Sequence, residues 1–302
     1  MLRPKVSVII VSFNTQDKLR HCLQCIEPHH EVIVVDNASI DGSAAMVARE
    51  FPHAKLIANT DNKGFGPANN QGCFCASGDL VLFLNSDAYA DPGAIDLLTT
   101  VFADEKVAAA GGKLLNPDRS LQLSTANRLT LWAVFCEQTY LEKLFPTSRL
   151  FSPYWTTLRL AQSDQPTETP QVMGACLMVR AVDGKPIELF DERFFLYCED
   201  TDLCRRLAAR GTILYVPGAT FVHDLGSSST KDPALGIIRY NRGKELYFRI
   251  HHGPIASTTC LILNRLGTLL RLSAWLIKLT LSGYRNSKAK SQLKSFWRVL
   301  KG

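Results

Sequence analysis

Residues 194–207 read Phe-Phe-Leu-Tyr-Cys-Glu-Asp-Thr-Asp-Leu-Cys-Arg-Arg-Leu, an apolar run that ends in three carboxylates within four positions. Carboxylates this close raise one another's pKa and cost stability unless a cation, a helix terminus or a reacting proton uses them. Asp202 lies three and four residues before Arg205 and Arg206 on an expected helix, so helix ion pairing accounts for it. Asp200 reads either as the N-cap of that helix or as a group that does chemistry. Glu199, led out of the core by aromatic and apolar neighbours, is a carboxyl whose pKa can rise far enough for general-base work.

Two further motifs could hold a divalent metal. Asn85-Ser86-Asp87 follows a strand-like run, and a carboxylate at a strand end suits Mg2+ or Mn2+, which take oxygen ligands and leave positions open for phosphates. Read alone, Asp87 equally caps the turn before Asp91-Pro92-Gly93. His223 offers a second ligand, although a histidine in a loop is more often a surface hydrogen-bonder. Lys63-Gly64-Phe65-Gly66-Pro67-Ala68-Asn69-Asn70 has neither the dinucleotide nor the P-loop pattern, but a glycine loop before a helix can admit a phosphate or a base edge. Cys22, Cys25, Cys73 and Cys75, with His21, His29 and His30 nearby, could be drawn as a zinc site. Cys22 and Cys25 share helical spacing with Leu19 and Ile26, so core packing is the favoured reading.

The elements that must position these groups alternate along the first hundred residues. Val6–Val11, Glu31–Asp36, Lys55–Ala58 and Leu80–Leu84 read as strands, and Asp17–Cys25, Ser43–Phe51 and Pro67–Ala76 as helices. That order predicts an α/β fold with a mainly parallel central sheet flanked by helices. Ligands in such sheets bind beyond the carboxyl ends of the strands, where Ser12-Phe13-Asn14, Asp36-Asn37 and Asn85-Ser86-Asp87 stand. Residues 146–170 read as a long loop of the kind that binds an acceptor or closes a site. Gln171–Arg180 and Thr212–Val216 read as strands, Phe221–Ser229 as a loop, and helices dominate from about Pro233. The expected division is 1–232 and 233–302.

The chain has 302 residues, is 46% hydrophobic and carries a formal charge of +6. The basicity belongs to the tail: twelve Lys/Arg against one Glu follow from Tyr240 onward, whereas the residues before it hold 22 against 27. Nine cysteines, an odd number, and an opening run too short for a secretory signal favour a reducing cytoplasm. Residues 254–282 are rich in Leu and Ile but interrupted by Arg265, Arg271 and Lys278, so no uncharged run approaches a membrane span. Arg271, Lys278 and Arg285 at seven-residue intervals describe an interfacial helix on an anionic leaflet; a helix packed on the first domain or in a dimer fits equally well. The tail contains no recognised nucleic-acid module, and an acidic crevice repels phosphate without metal, so nucleic acid is not an expected partner.

Taken in order, these segments resemble an inverting glycosyltransferase of family 2 with the GT-A nucleotide-sugar fold, closest to its rhamnosyltransferase-like branch. The resemblance rests on Val8–Asn14, Val34–Ser43, Asn62–Gly72, Leu84–Ala88, Gly174–Arg180, Phe190–Leu203 and His223-x-x-Gly226-x-Ser228. It implies a divalent metal, Mg2+ or Mn2+, at Asp87 and His223, and a donor pocket from Phe13, Asn14, Asp36, Asn37, Asn62, Lys63, Asn69, Ser86 and Asp87. Asp200 would be the catalytic base, with Glu199, Tyr197, Gly174 and Trp155 toward the acceptor. Implied partners are a nucleotide-sugar donor, foremost dTDP-rhamnose, and a glycan or polyprenyl-linked acceptor; another hexose or N-acetylhexosamine from a UDP-sugar is the alternative. A nucleotidyltransferase would show a Gly- and Arg/Lys-rich loop where Ser12-Phe13-Asn14-Thr15 stands. Departures are Asn85 in place of the first acid of the D-x-D motif, Ile187-Glu188-Leu189 where a Gly-Gly pair is usual, and Thr169-Pro170-Gln171 before Gly174.

Overall fold

The computed structural model describes residues 4–225 and 232–302; Gly226 and Ser228, from the histidine motif, lie outside the described residues. Strands and helices alternate at first: β1 (Val6–Ser12), α1 (Gln16–Gln24), β2 (Glu31–Asp36), α2 (Ser43–Glu50), β3 (Lys55–Ala58), α3 (Phe65–Cys73), β4 (Leu80–Asn85) and β5 (Ala88–Ala90). Next come α4 (Ala94–Thr99), β6 (Val107–Leu115), β7 (Thr125–Ala126), α5 (Leu131–Gln138), α6 (Leu141–Leu144) and α7 (Thr157–Leu160). The described order closes with β8 (Thr167–Glu168), β9 (Gln171–Val172), β10 (Cys176–Val182), β11 (Lys185–Pro186), α8 (Glu199–Leu207), β12 (Thr212–His223), α9 (Pro233–Leu281) and α10 (Ser287–Lys301).

The main sheet runs β3-β2-β1-β4-β10-β6-β12-β5, with β11 beside β10 and β8 beside β12. β3, β2, β1 and β4 are parallel neighbours, as are β6 and β12, while β10 and β5 run against theirs. β1, β2 and β4 are apolar and buried on both faces because helices cover both. Val8, Ile10, Val34 and Leu82 pack with Leu19, Met46 and Ile95 on one side. Ile9, Ile33, Val81 and Phe83 pack with Leu203 and Leu207 of α8 on the other. Each fully buried leucine contributes roughly 1.5–3 kcal/mol, and this is the anchorage that lets α8 carry carboxylates at a buried end.

Several strands differ from the sequence reading, which took Gln171–Arg180 as one strand where β9 and β10 are separated at Met173–Ala175. β6, Val-Ala-Ala-Ala-Gly-Gly-Lys-Leu-Leu, has little strand propensity, yet it is required because its neighbours come so close. A Cβ on Gly111 would stand 2.6 Å from Val172, and one on Gly112 would stand 2.5 Å from the Ala219 carbonyl. β12 does not stop at Val216: it crosses Pro217-Gly218 with a register shift between Val216 and Thr220, then pairs Phe221, Val222 and His223 with β5. His223 is therefore a strand residue, and the loop expected from Phe221 begins only after it. A β-bulge absorbs the proline and glycine that would otherwise break the strand.

Residues divide into two compact units, the sheet unit and a helical one in which Leu129–Tyr154 joins the C-terminal helices. The 232/233 boundary read from sequence leaves that segment with the sheet. Within the helical unit Lys244 is fully buried, with its ammonium 2.8 Å from Glu137. Arg271 donates to the Gln138 side chain at 2.9 Å and lies over the Tyr140 ring, while α9 ends at Leu281 before Arg285. The expected stripe of three cations on one helix is thus corrected: one is a packing residue and one is off the helix. α9 is nevertheless long and apolar enough to cross a membrane by length and composition, with a break at Gly253-Pro254. It leaves Ile255, Ile262, Leu270 and Ile277 exposed.

The glycine loop before α3 is filled by the protein itself. Gly64 has φ 93°, a Cβ there would sit 2.5 Å from the Phe195 carbonyl oxygen, and the next amide, Phe65 N–H, donates to that oxygen at 2.9 Å. Asn70 holds the same segment, giving to and taking from the Phe190 backbone. These glycines therefore admit the approach to α8, where the sequence reading had a phosphate or base edge. Gly64→Ala is expected to cost about 2–4 kcal/mol through backbone strain and lost contact, measured by urea denaturation. A cost near zero would show that the loop and residues 190–195 move independently.

Candidate active site

α8 opens in strained backbone. Tyr197 (φ 74°) and Cys198 (φ 67°) are both left-handed, each costing on the order of 1 kcal/mol for a non-glycine residue, and together they turn the chain so that Glu199 and Asp200 form the first turn. Asp200 is not the N-cap, a position Cys198 occupies. Its Oδ2 accepts the Gly174 N–H at 2.9 Å and its Oδ1 the Thr201 N–H at 2.8 Å. Burial pushes the Asp200 carboxyl above its usual range, and those amides work against the rise. Glu199 is buried, its Oε2 has no hydrogen-bond partner among the described residues, and burial, then the neighbouring Asp200 charge, push its pKa up to about 8. Burial thus raises both carboxyls, while the Gly174 and Thr201 amides favour the ionised form of Asp200.

Asp202 faces elsewhere. Its carboxylate accepts from Arg206 at 2.8 Å, and Arg206 also reaches Glu188 at 2.7 Å and the Leu189 carbonyl at 2.7 Å. Arg210 pairs with the other Glu188 oxygen. The unusual Ile187-Glu188-Leu189 segment is thus clamped onto the outer side of α8.

A second cluster forms where β4 ends and β12 meets β5. His223 Nε2 lies 3.3 Å from Asp87 Oδ1 and 3.3 Å from the Asn85 side-chain nitrogen. His223 Nδ1 is 2.7 Å from Gln122 Oε1, and Gln122 donates in turn to the His223 carbonyl. The Gln122 oxygen can only accept, so Nδ1 donates to it and Nε2 is the ring atom that faces Asp87. This donor set fits a divalent cation: an imidazole nitrogen of fixed tautomer beside a buried carboxylate, at the carboxyl end of the sheet.

The remaining strand ends build a polar pocket in the same sheet unit. Asp36 Oδ2 accepts the Ser39 N–H at 2.9 Å, and its buried Oδ1 has no hydrogen-bond partner. Asn14, left-handed at φ 55°, donates its N–H to Ser39 Oγ and accepts from Ile40 N–H. Asn37 donates to the Gly64 carbonyl and accepts from Asn59, and Asn62 accepts the Gly64 N–H, so both shape the loop. Ser86 accepts from Thr15 at 3.0 Å, and Phe13 stays partly exposed at its strand end.

Some expected residues stand apart. The Lys63 ammonium pairs with Asp61 at 2.7 Å, and the Asn69 amide turns back to the Phe65 carbonyl. Trp155 bridges Ala126 where the chain re-enters the sheet unit. Gln122, Ser39 and Gln171, which donates to Thr201, were not singled out from the sequence. Gln122 stood outside every quoted segment, whereas Ser39, Asn70 and Gln171 stood inside quoted ones but had no assigned part.

A mixed sheet flanked by helices, with a carboxylate pair at a helix start and a histidine–aspartate pair at strand ends, is consistent with a glycosyltransferase of the GT-A fold. The chain belongs to glycosyl transferase family 2, whose model matches residues 7–162. It is 29% identical over 241 residues to the N-acetylglucosaminyl-diphospho-decaprenol L-rhamnosyltransferase of Mycobacterium tuberculosis, covering 73% of this chain and 75% of that protein. It is 26% identical over 235 residues to rhamnosyltransferase WbbL of Escherichia coli, covering 72% and 83%. Among solved structures, mannosyltransferase PcManGT of Pyrobaculum calidifontis, in complex with GDP-Man and Mn2+, superposes with a TM-score of 0.57 at 16% identity, over 99% of this chain and 86% of that one.

The Glu199 shift has a definite sign. A carboxyl raised from 4.5 to about 8 binds its proton more tightly in the folded state, so its contribution is fully present below 4.5 and is lost as pH rises through 8. Glu199→Gln is expected to gain stability relative to the parent across that window, by on the order of a few kcal/mol. Urea denaturation at stepped pH measures the difference, and a difference that does not change with pH would contradict the assignment.

Proposed function

We propose that the protein transfers L-rhamnose from dTDP-rhamnose to a hydroxyl of a polyprenyl-diphosphate-linked saccharide, with inversion at the anomeric carbon. The observation that carries this reading is the buried Asp200 carboxylate at the start of α8, beside Glu199 and held by the Gly174 and Thr201 amides. Asp200 accepts the proton of the acceptor hydroxyl as its oxygen bonds to the anomeric carbon, and the bond from that carbon to the diphosphate oxygen breaks. One base on one face gives inversion. A retaining route would need a nucleophilic carboxylate beneath the sugar, and Asp202 is committed to Arg206.

Asp36, Asn37, Asn14, Phe13 and Ser86 shape the side that receives the nucleotide, and Asp36 Oδ1 is the acceptor there that a base or ribose donor would meet. Lys63, Asn62 and Asn69 border it. Asp87 and His223 would hold Mn2+ or Mg2+, whose charge when bound offsets that of the leaving diphosphate. Gly174, Glu199, Tyr197 and Trp155 are assigned to the acceptor side. The rhamnose choice is supported by the two rhamnosyltransferase relatives, and the lipid-linked acceptor by the mycobacterial one. The exposed apolar residues of α9 support attachment to the cytoplasmic face of a membrane, where such an acceptor is embedded.

Asp200→Asn is expected to lower kcat at least a thousandfold while the dissociation constant of dTDP with Mn2+ changes less than threefold, read by product assay and calorimetry. Turnover within tenfold of the parent would overturn Asp200 as the base.

A further inference from the structure

At the opposite ends of the parallel strands, the turn between α1 and β2 brings together Glu27, His29 and His30, and Asp96 of α4 meets them. Glu27 Oε1 accepts the Gly93 N–H at 2.7 Å, tying the turn to the start of α4, and leaves Glu27 Oε2 buried without a hydrogen-bond partner. His29 Nε2 lies 3.1 Å from Asp96 Oδ1. His30 Nε2 lies 3.7 Å from that same oxygen and 3.6 Å from Glu27 Oε2. Those last two separations are beyond hydrogen-bonding distance. They are close to the edge of a tetrahedron, about 3.3 Å, formed by ligands bound at the Zn–N and Zn–O lengths of roughly 2.0–2.1 Å. The ligand atoms of His29, His30 and Asp96 all fall within 4.8 Å of one another.

We propose that His29, His30 and Asp96, with Glu27 beside His30, form a structural site for a tetrahedral transition-metal ion, Zn2+ in the first place, separate from the Asp87–His223 pair. Two imidazoles and a carboxylate, with water or Glu27 as the fourth ligand, suit tetrahedral Zn2+ or Co2+, whereas Mg2+ favours octahedral, oxygen-rich coordination. The His30 side chain is 2% exposed and the His29 side chain 47%, so the ligands run from a fixed inner histidine to an outer one that leaves an entry path. His30 leads into β2 at one end and Asp36 leaves it at the other, roughly 20 Å away along a six-residue strand. Cys22, for which the sequence reading favoured core packing, is buried, and Cys25, for which it did too, is half-buried; Cys73 is buried and Cys75 exposed. A bound ion here would staple the α1–β2 turn to α4.

The test uses the full-length, tag-free protein carrying Asp87→Ala, which removes the other histidine–carboxylate pair, titrated with Co2+ and then Zn2+ alone. One equivalent of Co2+ should bind with the visible absorption of a tetrahedral centre and without the thiolate charge-transfer band of cysteine ligation. Zn2+ should displace it and raise the thermal midpoint. Adding the half-exposed His29→Ala or the isosteric Asp96→Asn, neither of which empties the core, should weaken Zn2+ at least tenfold and remove the thermal shift. If Asp87→Ala takes up neither ion, or if His29→Ala and Asp96→Asn bind as tightly as their parent, the cluster is an ordinary ion pair and the proposal fails.

Discussion

The constraint on which the site depends is the burial of two adjacent carboxyl groups at the start of one helix. Water would stabilise both charges; the protein offers Glu199 a protonated state and Asp200 two backbone amides and a helix N-terminus. Leu203 and Leu207, seated against the sheet, hold α8 where this exchange can occur. The left-handed pair Tyr197-Cys198 and the close fit of Gly64 against Phe195 make the start of the helix reproducible. Chemistry needs a carboxylate that is poorly solvated yet aimed, and this packing supplies one.

The other half of the site follows from strand register. β4 ends at Asn85 and β12 reaches His223 because β5 turns back to pair with it, setting His223 opposite Ala88 and next to Asp87. A one-residue slip would place the histidine on the other face of the sheet. Gln122 then decides which ring nitrogen is free, a choice neither Asp87 nor His223 makes alone. On the proposed reading, the sheet geometry supplies the donor-side ligands and a helix terminus the acceptor-side carboxylates.

Much of this was legible in the chain. Val8-Ile9-Ile10, Val32-Ile33-Val34 and Leu80-Val81-Leu82 announce doubly covered parallel strands because only such strands are apolar without alternation. The Asp202–Arg206 pair followed from helix spacing alone. β6 was not legible, since an alanine- and glycine-rich strand reveals itself only when Val172 and Phe221 are seen filling the space its side chains would take. β12 was cut short because Pro217-Gly218 is a breaker unless a bulge accommodates it. Arg271 looked like a membrane-facing cation and is held by Gln138 and Tyr140, partners that sequence distance conceals.

The central claim is that a single carboxylate base, Asp200, works on one face of the donor sugar while the diphosphate leaves from the other. The anomeric configuration of the first-formed product, read from the one-bond carbon–proton coupling at the transferred sugar's anomeric centre, tests it most directly. The account requires the configuration opposite to that of the donor. Retention would contradict it and would call for a nucleophile that the arrangement of Glu199, Asp200 and Asp202 does not provide.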